Sequence, residues 1–92
     1  MNKLEINQEI RGDEVILKCA GRLDANWAAH LNDSIDRLVR EGHYHIALDL
    51  SDIEYLSSAG IRSLVSQYKN LKSVNGHFYI PSMSESVSQV LN

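Results

Sequence analysis

Apolar and polar residues alternate at the start of the chain. Leu4-Glu5-Ile6-Asn7 places every second side chain on one face, as a half-buried strand does. Arg11-Gly12-Asp13-Glu14 is a polar turn with a glycine, and Val15-Ile16-Leu17-Lys18-Cys19-Ala20 reads as a second strand. Strands joined by so short a turn pair as an antiparallel hairpin. Gly21-Arg22-Leu23-Asp24 then breaks the strand, and the Asp24 carboxylate is a candidate N-cap for a helix. Trp27, Leu31, Ile35, Leu38 and Val39 recur at helical spacing, and Gly42 marks the helix end.

The period changes again at Tyr44-His45-Ile46-Ala47-Leu48-Asp49-Leu50. This near-continuous apolar run predicts a third strand, central and buried on both faces. A short acidic turn follows, and a second helix starts near Ser57 or Ser58, with Ile61, Leu64, Val65, Tyr68 and Leu71 on its buried face. After the Asn75-Gly76 turn comes a fourth strand, His77-Phe78-Tyr79-Ile80, stopped by Pro81. Residues 82–91 read as a short helix with Met83, Val87, Val90 and Leu91 inward. The order β-β-α-β-α-β-α predicts a single α/β domain. Its mixed sheet has about four strands, the hairpin antiparallel and the later strands parallel through right-handed crossovers, with two to three helices.

Composition narrows the function classes. The 92 residues are 43% hydrophobic and 23% charged, as in an ordinary globular domain, and the formal net charge of -3 offers no basic footprint for nucleic acid. No apolar run has signal-peptide or membrane-spanning length, so neither secretion nor direct membrane insertion is expected, and a cytoplasmic location is. The single cysteine, Cys19, sits in an apolar strand and reads as a buried structural thiol. His43 and His45 share a strand face but lack further ligands nearby, so no metal site is expected. Asp49, Asp52 and Glu54 near a strand end could hold magnesium for a small phosphotransfer enzyme, although no phosphate-binding loop accompanies them.

The adjacent Ser57 and Ser58 are the remaining lead. One serine suits a helix cap, contributing about 1 kcal/mol. The second is less well explained by capping. Gly60 follows within the first turn, where glycine costs ~1 kcal/mol relative to alanine. Small residues from 57 to 60 leave the backbone open to a partner, so capping and docking both stand at this point.

Leu48-Asp49-Leu50-Ser51-Asp52-Ile53-Glu54-Tyr55-Leu56-Ser57-Ser58-Ala59-Gly60-Ile61 resembles the signature of the STAS domain, the family of sulfate transporters and anti-sigma factor antagonists. Gly21-Arg22-Leu23-Asp24 matches the family's Gly-x-Leu-Asp before its first helix, and Asn75-Gly76-His77-Phe78-Tyr79-Ile80 resembles its late strand. The resemblance spans nearly the whole chain, implying one STAS domain over residues 1–92. The chain stops in or just after the third helix, where many relatives continue through another; an apolar patch left there would favour a homo-oligomer.

The resemblance implies a partner-switching regulator without catalysis or cofactor of its own. The antagonist binds a serine kinase that doubles as an anti-sigma factor, is phosphorylated and released, and is restored by a phosphoserine phosphatase. Aligning on Gly60 puts the acceptor at Ser58, with Ser57 as second choice. Ser57 stands where antagonists usually carry aspartate. The implied partner surface is Asp24, Asp52, Glu54, Tyr55, Ser57, Ser58, Ala59, Gly60, Ile61 and Arg62. An alternative within the family is an accessory subunit of a lipid-transport ABC ATPase.

Overall fold

The alternating residues at the N-terminus form the expected hairpin. In the computed structural model, which describes residues 3–91, β1 (Leu4–Arg11) runs antiparallel to β2 (Glu14–Leu23), with Leu4 opposite Gly21 and Arg11 opposite Glu14. α1 (Ala25–Arg40) leads to β3 (His45–Leu56), α2 (Ser58–Ser73) to β4 (His77–Met83), and α3 (Glu85–Leu91) follows. The sheet order is β1-β2-β3-β4, and both later pairings are parallel. The mixed four-stranded sheet with three helices is the architecture the pattern predicts.

The strand residues of the core lie on one alternation face. Leu4, Val15, Leu17, Cys19, Ile46, Leu48, Leu50 and Phe78 join Leu31, Ile35 and Leu38 of α1, Leu64 and Leu71 of α2 and Val87 of α3 in one cluster. The helices therefore cover one side of the sheet. Ala47 is buried outside that cluster, in register between Ile16 and Tyr79. Strand β3 is central as expected, but its second face carries Ala47 and Asp49, next to the exposed Lys18, rather than a second apolar layer.

Several boundaries differ from the sequence expectation for identifiable reasons. Residues 21–23 continue β2 instead of breaking it. Gly21 adopts φ 104°, and any Cβ there would strike the Lys3 carbonyl, so glycine lets β1 and β2 stay paired. The acidic segment 51–56 is strand, not turn. Two register shifts give β3 an extra residue against β2, once between Lys18 and Ala20 and once between Gly21 and Arg22. Each such bulge interrupts the period-two pattern. Pro81 does not stop β4, because β4 is an edge strand and the register shift between Ala47 and Asp49 absorbs the missing donor.

The helices also turn differently from the apolar stripe. On α2, Val65 and Tyr68 are exposed, bordering a shallow apolar groove with Ile80 and Leu91, while Ser63 and Gln67 are buried. These two donate to Asn32 Oδ1 of α1 at 2.7 and 2.9 Å, so a polar contact rotates α2 about its axis. Of the residues expected inward at 82–91, only Val87 is buried; Met83 ends β4, and Val90 and Leu91 are exposed.

Candidate docking and modification site

Helices α1 and α2 both begin at the C-terminal ends of parallel strands, so their N-termini lie at the same rim of the sheet. In open parallel sheets that rim is where ligands gather. The two starts are tied together, since the Ser57 N–H donates to the Leu23 carbonyl at 3.0 Å. Neither helix has an acidic residue in its first turn.

Asp24 caps α1 as the sequence predicts, its Oδ1 accepting the Asn26 N–H at 3.0 Å. Its Oδ2 takes a contact of 3.4 Å from Arg22 Nε. The Arg22 guanidinium also lies 4.3 Å from the centre of the Tyr55 ring, its register partner on β3. Arg22 was not among the expected site residues. Its neighbour Asp24 was a signal, but the Tyr55 contact depends on a strand register that the sequence does not display.

Ser57 is the N-cap of α2. Its Oγ accepts the Gly60 N–H at 3.1 Å, and its backbone is extended at φ -90°, ψ 171°. Ser58 opens the helix, is exposed, and its hydroxyl makes no hydrogen bond among the described residues. Ala59 and Ile61 are half-buried, and Arg62 is exposed. Gly60 corrects the sequence expectation. It is buried and faces inward, where a Cβ would approach the Leu23 carbonyl to 2.5 Å and Leu56 Cδ1 to 2.8 Å. Its bareness lets α2 pack on the end of β2.

The acids do not converge. Asp49 is satisfied locally, its Oδ1 accepting from the Ser51 hydroxyl at 2.7 Å and the Ser51 N–H at 2.9 Å. Those bonds, aided by Lys18, hold its carboxyl below the ordinary 3.8 despite slight desolvation. Asp52 and Glu54 border a depression of about 120 Å³ with Lys3, Glu5, Ala20 and Gly21, on the helix-free side. Among the described residues no three His, Cys, Asp or Glu side chains gather closely enough to hold a metal ion. His45 stacks on His77 of β4, ring centres 4.8 Å apart, instead of pairing with His43. Cys19 is buried, and desolvation, then the nearby Asp49 charge, push its thiol up to about 12. No helix among the described residues is long and apolar enough to cross a membrane.

Comparison with known proteins places this geometry. The STAS domain family model matches residues 4–92. BtrV of Bordetella bronchiseptica, named as a candidate anti-sigma factor antagonist, is 28% identical over 79 residues, 85% of this chain and 68% of its own. A candidate anti-sigma factor antagonist from Thermotoga maritima has a crystal structure that superposes with a TM-score of 0.85 at 30% identity, over 94% of this chain and 74% of that one. The structure of an anti-sigma factor antagonist from Mycobacterium paratuberculosis gives the same TM-score of 0.85 at 21% identity, covering 98% and 76% of the two chains; at that identity the likeness speaks for the fold.

Proposed function

This chain belongs to the STAS domain family, and on that premise we propose that it is an anti-sigma factor antagonist whose binding is switched by phosphorylation of Ser58. It binds an anti-sigma factor that is also a serine kinase, receives phosphate on Ser58 and is released; a phosphoserine phosphatase restores it. The chain performs no catalysis in this cycle. It is the substrate, and its place of action is the cytoplasm.

The observation that supports Ser58 over Ser57 is the division of labour at the start of α2. The Ser57 hydroxyl is occupied by the Gly60 N–H and half-buried, whereas the Ser58 hydroxyl is exposed and unbonded. A kinase can take the second without first breaking a cap. The docking surface is the rim of Asp24, Tyr55, Ser58, Ala59, Ile61 and Arg62, to which Arg22 is added. Asp52 and Glu54 flank it on the helix-free side. Phosphoserine carries about -1.5 to -2 charges. Beside the free N–H groups and positive dipole end of α2, that charge does not oppose the fold. It acts by adding bulk and charge where a partner sits.

The test is a pull-down from the native cell with phosphosite mapping of bound and unbound fractions. Phosphate on Ser58 confined to the unbound fraction, with a serine kinase in the bound one, is the expected outcome. Unmodified serines together with a co-purifying transport ATPase would overturn it.

A further inference from the structure

Arg62 stands one helical turn after Ser58 on α2, and its side chain is exposed and free of any ion pair or hydrogen bond among the described residues. Residues four apart on a helix are surface neighbours, roughly 5–6 Å between Cβ atoms. Helical side chains lean toward the N-terminus, so a residue at 62 covers the turn that begins at 58. The other guanidinium at this rim, Arg22, is already engaged by Asp24 and the Tyr55 ring. No acid of the first turn competes for Arg62, and the adjacent cap, Ser57, is neutral.

We propose that Arg62 is the receptor for a phosphate on Ser58, closing an ion pair across the first turn of α2 and thereby leaving the docking surface. The inference rests on Ser58 being the modified residue. In the unmodified protein the guanidinium is available to an acidic group of the partner. After modification the phosphate occupies it, since a guanidinium fork matches a phosphate with two parallel hydrogen bonds. One residue thus changes allegiance, and the partner loses a cation as well as meeting a new anion. No bond is made or broken in this step beyond hydrogen bonds.

The test needs no kinase. Phosphoserine is installed at position 58 during synthesis of the full chain, and its second ionisation, ordinarily near pH ~6, is followed by phosphorus NMR. The parent is expected to titrate about 0.15–0.4 pH unit below the Arg62→Ala variant. Arg62→Lys is expected to recover part of that difference, and Lys69→Ala, about two turns further from Ser58 than Arg62, to match the parent. Equal values for the parent and Arg62→Ala overturn the proposal. So does an equal change from Lys69→Ala, which would mark the general field of a basic helix. Amide spectra of the three variants check that each is folded. Because the phosphate is installed directly, a bare Ser58 in the native cell would sink the functional reading and leave the ion pair standing.

Discussion

The hydroxyl of Ser57 accepts the Gly60 N–H while that of Ser58 faces solvent, so alanine at each position separates capping from docking. Ser57→Ala is expected to cost about 1 kcal/mol of stability in urea denaturation, and Ser58→Ala close to nothing while abolishing phosphorylation. Gly60→Ala tests the packing of the same turn. Helix propensity would gain ~1 kcal/mol, but the added Cβ meets a backbone carbonyl that cannot swing away. Overpacking of this kind costs typically ~1–3 kcal/mol, so a net loss of thermal stability is expected. Cys19 gives a third residue-level readout. With its thiol held at about 12 in the folded state, alkylation near neutral pH should proceed only as fast as the domain opens, and should speed up in step with added denaturant.

At the scale of elements, α1 and α2 are joined by Asn32, Ser63 and Gln67. Asn32→Ala strands two donors, one hydroxyl and one amide, at a buried seam. A loss of about 1–3 kcal/mol is expected, and a double-mutant cycle with Ser63→Ala should show non-additivity. On β3, Asp49 titrates below its ordinary value because Ser51 donates to its carboxylate. A carboxylate depressed in the folded state contributes stability above its unfolded pKa and loses it as pH falls through the folded value. Ser51→Ala should therefore narrow the stability difference between neutral and acidic solution, read as the urea midpoint against pH below about 4.

For the molecule as a whole, the order of elements was legible because each run kept one period long enough to be read. The limits of that reading have physical causes. Residues 51–56 looked like an acidic turn because two bulges shift the register of β3 and spoil the alternation that marks a strand. The inner face of α2 was misread because Ser63 and Gln67 are buried against an asparagine 31 and 35 residues earlier, a satisfaction that no local pattern displays. The helix start itself was legible, since serines at a helix onset are local chemistry. Arg22 was not, because its contact with Tyr55 exists only after β2 and β3 have paired in their shifted register.

The bond from Ser57 to the Leu23 carbonyl, with Gly60 seated against the same residue, has a consequence for how any mark at this rim is read. The start of α2 is a fixed bracket, not a hinge. If that start is phosphorylated as proposed, the rest of the domain is expected to keep its shape, so that no distant surface learns of it. Only a protein in contact with that rim can tell the two forms apart. Under the function proposed above, the enzyme that writes the mark, the enzyme that erases it and the partner that obeys it would have to crowd the same few residues and take turns.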